Sequence, residues 1–285
     1  MTPDAIAVIT YPGHCVTTLL TINNLYDLTG WKAPLYVFVD DLGEQYINYK
    51  GDYIQDIKNF YNLDFTVIKF SDFNMPEIWD GWLRQQLIKL NLDRFLPGEI
   101  WYVTDGDIKI SEILDYGKTP FNFVPRENNL VHEQNQTYLQ HILGSTDTFL
   151  TRNQRPIFTH HAPFRWVHKK HLQDLRFYVT DLHKNDFNII HYNLMNKEII
   201  IGFGPGPDSM SMTEWDLIEV YRANILKEDI GLEYWPMRTD WHVAHKAKFW
   251  TFFGTDKDID NQYFLQYNIH VPQNIAQNIL TISRT

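Results

Sequence analysis

Two aspartates, Asp105 and Asp107, stand one residue apart in the segment WYVTDGDIKI, directly after an apolar run. Alternate residues of an extended segment point to the same side, so the two carboxylates can be aimed at one point. Like charges held together repel each other, and a divalent cation such as Mg²⁺ or Mn²⁺ relieves that repulsion. These ions take hard oxygen ligands and keep positions open for water and phosphate oxygens. The alternative interpretation is a turn, because Asp-Gly-Asp is also ordinary turn chemistry.

The elements around this pair predict an α/β fold. Short apolar runs predict strands at 6–10, 35–39, 65–70 and 100–104, and helical spacing predicts helices at 17–28, 52–61 and 78–95. Such an alternation is typical of a Rossmann-like, mainly parallel sheet flanked by helices on both faces. Ligands of these sheets bind at the carboxyl ends of the strands, which is where Asp105 and Asp107 fall.

The pattern is less regular in the remainder of the chain. Residues 120–160 mix turns with short segments, 199–203 can form a strand, and 212–226 have helical spacing. The loop GFGPGPDS at 202–209 contains prolines that exclude a dinucleotide-binding fingerprint. Because no repeat or linker interrupts the sequence, we expect a single domain over 1–285 with two halves, 1–115 and 116–285.

Composition and charge exclude several classes of protein. The chain has 285 residues, of which 44% are hydrophobic, enough for a packed core. Its one cysteine, Cys15, excludes an intrachain disulfide, and no apolar stretch approaches the roughly 18 residues of a membrane span. The N-terminal sequence does not resemble a signal peptide, so we expect a cytoplasmic protein. The net charge of −10 argues against a general nucleic-acid coat, although residues 151–180 carry a local +5.

The order of these motifs resembles a known family. A strand followed by Asp-x-Asp, after several β-α units, resembles the GT-A glycosyltransferases, which bind a nucleotide sugar through a divalent metal. Four segments are similar to those of a little-characterised GT-A-like group: GWLRQQLIKL, IWYVTDGD, PIFTHHAPF and TEWDLIEVYRANIL. The resemblance spans residues 5–226. It implies transfer of a sugar from a nucleotide-sugar donor, a UDP-sugar favoured, to an acceptor hydroxyl. Residues 1–115 would bind the nucleotide sugar, and 116–285 would form a less regular acceptor half.

The resemblance also implies roles for particular residues. Asp105 and Asp107 would hold Mn²⁺ or Mg²⁺, the second more directly, and His242 is preferred over His245 as a further ligand. The donor-binding residues would be Thr10, Tyr11, Asp40, Arg84, Gln85 and Asp105. Several of these residues have a structural alternative: Tyr11 can belong to the core, Asp40 can be a cap, Arg84 can lie on a solvated face, and either histidine can lie on the surface.

Catalysis and acceptor binding are assigned to the second half. An inverting transfer needs a general base near the acceptor hydroxyl, and Glu219 is preferred for it over Asp216 and Glu214. A retaining enzyme needs no such base, and the alternative for these acids is an ordinary acidic helix surface. Basic and aromatic residues interleave in RPIFTHHAPFRWVHKKH, a composition that suits phosphates, bases or sugars. The acceptor-binding candidates there are His160, His161, Arg165, Trp166 and Lys169.

Two acceptors and two other function classes stay open. The acceptor is either a saccharide or a hydroxymethylated base in DNA, as in phage-type DNA glycosylation, for which the base would be flipped out of the duplex. The +5 region suits a local polyanion contact, but a charge run is usually a solvated face. A non-catalytic carbohydrate-binding protein would use the aspartates as a turn or calcium site. A metal-dependent phosphatase or nucleotidyltransferase would also use carboxylate-bound metal.

Overall fold

The computed structural model divides into two compact units, which are described separately below. It describes residues 1–10, 15–42, 58, 64–73, 81–106, 108–110, 112–123, 129–145, 150–152, 155–159, 164–195, 214–234 and 249–251. The first unit contains the described residues of Met1–Ile88, Leu96–Ile113 and Arg238–Thr285. The second contains those of Lys89–Phe95 and Leu114–Met237. The expected single domain with halves at 1–115 and 116–285 stays a prediction.

The first unit is built on a parallel sheet. Its elements are β1 (Ala5–Thr10), α1 (Cys15–Thr29), β2 (Leu35–Val39), β3 (Thr66–Lys69), α2 (Gly81–Lys89), β4 (Ile100–Asp105) and β5 (Ile108–Ile110). Four strands pair in parallel in the order β3-β2-β1-β4, and all six residues of the central strand β1 are buried. This is the strand order of doubly wound sheets, in which right-handed crossovers place α1 and α2 on opposite faces. The predicted mainly parallel α/β sheet is confirmed.

Individual boundaries in the first unit differ little from those predicted, with one exception. The helix predicted at 78–95 is shorter, because α2 ends at Lys89 and a separate 3₁₀ turn follows at Leu92–Arg94. Asn91 precedes that turn in a non-helical backbone conformation, and its side-chain amide donates to Asn188 Oδ1 at 3.2 Å. The helix predicted at 52–61 lies outside the described residues except for Lys58, which is helical. The strand predicted at 199–203 also lies outside them.

The second unit combines a small sheet with helices. Its elements are β6 (Thr119–Phe123), α3 (Asn129–Leu143), β7 (Thr151–Arg152), β8 (Arg155–Phe158), β9 (Phe164–His168), α4 (Lys169–His183), α5 (Phe187–Met195), α6 (Glu214–Val220) and β10 (Leu232–Tyr234). A four-stranded sheet has the order β10-β6-β8-β7. The helix predicted at 212–226 is present as α6 and a π-helical turn at Tyr221–Ile225. The prediction of turns and short segments for 120–160 was wrong where α3 forms.

Helix packing in the second unit encloses a buried histidine. His191 of α5 is fully buried, its Nδ1 lies 2.8 Å from Oη of Tyr138, and its ring stacks on Phe187 at 6.1 Å between centroids. Burial lowers the pKa of His191 to about 3, so the ring is neutral at physiological pH.

One further strand, β11 (Phe249–Thr251), pairs antiparallel with β5 in the first unit. The chain therefore returns to the first unit after passing through the second. Within the described ranges, we find no helix whose length and apolarity would let it cross a bilayer.

Candidate active site

The carboxyl ends of three strands bring together residues predicted to bind the donor. Thr10 ends β1, Asp40 follows β2, and Asp105 ends β4. The Asp40 amide donates to the Thr10 carbonyl at 3.0 Å, and Asp105 is the register partner of Ile9 in β1. These three predicted residues thus share one edge of the first unit's sheet, as parallel topology requires.

Helix α2 supplies a cation to that edge. The Arg84 guanidinium donates from Nε to Asp40 Oδ1 at 3.0 Å and from Nη2 to Asp40 Oδ2 at 2.7 Å. Arg84 and Asp40 are only 6% and 5% exposed, so this is a buried, bidentate ion pair. The alternative of a solvated arginine on an exposed helix face does not hold. The pair fixes the Asp40 carboxylate at the sheet edge.

The next residue of α2 contacts the first aspartate of the pair. Gln85 Nε2 donates to Asp105 Oδ1 at 3.2 Å, and both side chains are half-buried. Arg84 and Gln85, which are consecutive in α2, therefore contact carboxylates at the ends of two different strands, β2 and β4. The contact leaves the donor-binding roles of Gln85 and Asp105 as predictions, but it defines how the Asp105 carboxylate is oriented.

Gly106, between the two aspartates, is required by close packing and not by a left-handed backbone. A Cβ at this position would lie 2.5 Å from Oγ1 of Thr18 and 3.0 Å from Cβ of Thr10, closer than real Cβ contacts. Gly106 N donates to the Ile9 carbonyl at 2.8 Å. The glycine lets the chain pack closely against β1 and α1 where β4 ends, and the turn alternative for Asp-Gly-Asp stays open.

Asp105 is the one predicted metal ligand that lies among the described residues. Asp105 supplies carboxylate oxygens, and a single glycine separates it from Asp107 in the sequence. Carboxylate oxygens are ligands that suit Mg²⁺ or Mn²⁺. Asp107 and His242 lie outside the described residues, as does Tyr11. Among the residues that the structure describes, no three His, Cys, Asp or Glu side chains form a group that could hold a metal. The metal site stays a prediction.

The second unit buries the candidate acids of α6. Glu214 Oε1 pairs with Lys89 Nζ at 2.8 Å, and both side chains are almost fully enclosed. Asp216 accepts hydrogen bonds from the amide and hydroxyl of Thr159, each at 2.8 Å, and from Asn135 Nδ2 at 2.9 Å. These acids face inward, so the alternative of an acidic helix surface does not hold.

Glu219 lies between two arginines. Its Oε1 is 3.3 Å from Arg165 Nη1, and its Oε2 is 2.8 Å from Arg222 Nη1. The Arg165 guanidinium also lies 4.3 Å from the Trp215 ring centroid. Burial lowers the pKa of Arg165 to about 10, against the opposing effect of Glu219 and the other acids of α6, so it stays protonated at neutral pH. The base role of Glu219, Asp216 and Glu214 stays a prediction.

The predicted acceptor residues have different environments. Arg165 is buried, Lys169 is half-buried at the start of α4, and His160 and His161 lie outside the described residues. Trp166 is half-buried, its Nε1 donates to the Leu114 carbonyl at 2.7 Å, and exposed Tyr116 packs against it edge-on at 5.5 Å. Arg165 has partners inside the second unit, and the acceptor roles stay predictions.

Nearby carboxylates neutralise part of the positive charge of the basic stretch at 151–180. Arg176 makes a bidentate contact with Asp93, at 2.6 Å and 2.5 Å. Lys170 pairs with Asp174, and Arg165 with Glu219. Among the described side chains of this stretch, carboxylate partners thus neutralise Arg165, Lys170 and Arg176.

Sequence reasoning missed several residues of these clusters. Lys89, Arg222 and Asn135 were not singled out, yet each contacts a candidate acid. Tyr116 was also missed, because it lies 39 residues before the basic-aromatic stretch that begins at Arg155. The contacts of Lys89 and Asn135 join positions far apart in the chain, for which local spacing carries no signal, whereas Arg222 lies only three residues after Glu219 and its spacing was a usable signal.

Comparison with known proteins gives a distant structural similarity. No protein-family model matches the chain, and no curated protein matches it in sequence. Among solved structures, the galactosyltransferase LgtC in complex with donor and acceptor sugar analogues is similar with a TM-score of 0.45 and 9% identity, over 96% of this chain and 99% of that chain. An active-site mutant of LgtC gives 0.45 and 10%, over 96% and 95%. At these values the function must be argued from this chain's own residues.

Proposed function

We propose that this chain is a metal-dependent glycosyltransferase of the GT-A type that moves a sugar from a nucleotide-sugar donor to an acceptor hydroxyl. The observation that carries the proposal is the meeting of Thr10, Asp40 and Asp105 at the carboxyl edge of a sheet with the order 3-2-1-4. Arg84 and Gln85 reach the same edge from α2. Nucleotides bind doubly wound sheets at this kind of edge.

The proposed donor site divides the work among these residues. Thr10 and Tyr11 would contact the base and ribose, and Asp40, held by Arg84, would accept a base or ribose hydrogen bond. Asp105 and Asp107, with His242, would hold Mn²⁺ or Mg²⁺. When bound, that ion supplies Lewis-acid stabilisation of the charge that develops on the departing diphosphate. Gln85 orients the Asp105 carboxylate from the protein side.

A saccharide is the acceptor that the second unit favours. Arg165, Lys170 and Arg176 each have a carboxylate partner, which reduces the charge available for a DNA backbone. Exposed Tyr116 and half-buried Trp166 form an edge-on aromatic pair, and aromatic rings of this kind can contact a sugar ring. Transfer of labelled sugar to hydroxymethylated DNA, lost as salt rises, would favour the DNA acceptor instead.

The catalytic proposal depends on stereochemistry. For an inverting transfer, Glu219 stays the first candidate for the base, followed by Asp216 and Glu214. Each of the three already accepts a hydrogen bond or pairs with a cation. These contacts support a charge-balancing role for the three acids beside the role of a base. The chain has a single cysteine and so needs no intrachain disulfide, which supports a site of action in the reducing cytoplasm.

Hydrolysis of nucleotide sugars tests the proposal. The wild-type protein with Mn²⁺ should slowly release free sugar and UDP from a UDP-sugar, and Asp107→Ala should abolish the release. Asp181→Ala is the matched control, because Asp181 is an acid that is 83% exposed and pairs with exposed Lys184. Absence of hydrolysis across UDP-, GDP- and ADP-sugars, with saccharide binding retained, would instead favour a carbohydrate-binding protein. Release of phosphate or transfer of a nucleotide would favour the phosphatase or nucleotidyltransferase alternative.

A further inference from the structure

Three polar side chains of α1 face the segment that carries the aspartate pair. Thr18, Thr21 and Asn24 are spaced three residues apart, so they follow one side of the helix. Thr18 is the side chain that approaches Gly106, and its Oγ1 lies 2.5 Å from Oγ1 of Thr10. The three residues together are called the α1 ladder below.

The ladder hydrogen-bonds the main chain of β5. Thr21 Oγ1 donates to the Ile108 carbonyl at 2.7 Å and accepts from the Ile108 amide at 3.1 Å. Asn24 Oδ1 accepts from the Ile110 amide at 2.8 Å. The Ile108 side chain is 1% exposed, so these groups are bonded in a buried setting where a lost partner is costly. On this edge of β5, the Thr21 hydroxyl makes the main-chain hydrogen bonds that a paired strand would otherwise make.

The two sequence neighbours of Asp107, Gly106 and Ile108, are both held by contacts with β1 or α1. Gly106, on one side, donates to Ile9 of β1 and packs on Thr18, and Ile108, on the other side, is bonded through both its amide and its carbonyl. Side-chain direction alternates along an extended chain, so a slip of one residue would turn a carboxylate to the opposite side. The main chain is therefore held by hydrogen bonds at both sequence neighbours of position 107.

We propose that Thr21, supported by Asn24, is a positioning residue that holds the main chain of the Asp-Gly-Asp segment in the register needed for cation binding. This inference rests on the proposed function, because it assigns the ladder to the metal-binding aspartates. Thr21 contacts no reacting atom. Its action passes through the Ile108 amide and carbonyl to the neighbouring carboxylates.

The test compares Mn²⁺ binding and amide exchange in the full chain. Thr21→Val keeps the shape but removes both hydrogen bonds, and it should weaken Mn²⁺ binding measured by electron paramagnetic resonance by about tenfold or more. It should also speed hydrogen exchange at Ile108. Thr21→Ser keeps the hydroxyl and should restore both properties to about those of the wild type. Thr29→Val is the matched control, because the Thr29 hydroxyl donates to Leu25 and accepts from Trp31 at the other end of the same helix.

The outcomes separate this inference from the proposed function. Wild-type Mn²⁺ affinity in Thr21→Val, with faster exchange at Ile108, would show that the bond forms but positions nothing. Unchanged exchange and affinity would show that the ladder does not hold β5 at all. A wild-type protein that binds no Mn²⁺ would overturn the proposed function and this inference together. If Thr21→Val does not fold, Asn24→Ala, which removes only the partner of the Ile110 amide, should weaken Mn²⁺ binding in the same direction, and unchanged binding there would overturn the proposal.

Discussion

Replacing Glu219 with glutamine separates the two roles open to this acid, charge balance and proton abstraction. Glu219 is 3% exposed and accepts from Arg165 at 3.3 Å and from Arg222 at 2.8 Å. Glutamine keeps nearly the same shape but removes the negative charge. Arg165 is 2% exposed, and Glu219 is the acid that most strongly raises its pKa against the effect of burial, so the glutamine variant removes the main compensation of this buried guanidinium.

The expected loss of stability follows from that uncompensated cation. Removing one partner of a buried ion pair costs about 3–5 kcal/mol. Glu214 and Asp216 also act on Arg165 electrostatically and offset part of the loss, so we expect about 3 kcal/mol. For a chain of this size, that corresponds to a fall in melting temperature of roughly 6–12 °C.

The assay is thermal and urea unfolding at pH 7, with sugar transfer measured on the same samples well below the melting temperature. Asp181→Asn removes an exposed acid paired with Lys184 and should shift the melting temperature by less than about 1 °C. A melting temperature of Glu219→Gln within about 2 °C of the wild type would refute the charge-balance reasoning. If transfer also fell by about a hundredfold or more, Glu219 would be the base.

Three further predictions follow from buried contacts. Asp40→Asn leaves the buried Arg84 uncompensated and should cost about 3 kcal/mol in urea unfolding; a cost near zero would contradict the pairing. Gly106→Ala places a Cβ 2.5 Å from Thr18 Oγ1 and should cost about 1–3 kcal/mol, and a Thr18→Ala background should cancel part of that cost; strict additivity would contradict the contact. His191 has a folded pKa of about 3, below its unfolded value, so the unfolded state binds more protons between these values and stability rises with pH across that window. Between pH 4.5 and 6.5 the free energy of unfolding should rise by about 2–3 kcal/mol. His191→Gln should lose most of this rise, and an equal rise in that variant would contradict the assignment.

The first unit could be predicted largely from local patterns. Its strands are short apolar runs bounded by turn residues, and β2 lies where it was predicted, at Leu35–Val39. The meeting of Thr10, Asp40 and Asp105 follows from parallel topology alone. The Arg84–Asp40 pair could not be predicted, because the two residues are 44 positions apart and nothing local to either identifies the other.

The second unit departs further from its sequence pattern. Helix α3 was missed because polar residues interrupt its apolar spacing, and one of them, Asn135, faces the interior and donates to Asp216. The acids of α6 resemble a solvated face in sequence. They are buried because Lys89 and Arg165 reach them from other elements, and tertiary pairing of this kind overrides the local pattern.

The central claim is that the carboxyl edge of the first unit binds a nucleoside diphosphate through a metal held by Asp105 and Asp107. Titration of UDP into the protein with and without Mn²⁺, followed by calorimetry and by melting temperature, tests it most directly. The account predicts binding only when Mn²⁺ is present, a stabilisation of about 2.7 kcal/mol at a hundredfold excess over Kd, and loss of both in Asp105→Asn. Equal binding of UDP without metal, or binding that Asp105→Asn leaves unchanged, would contradict it.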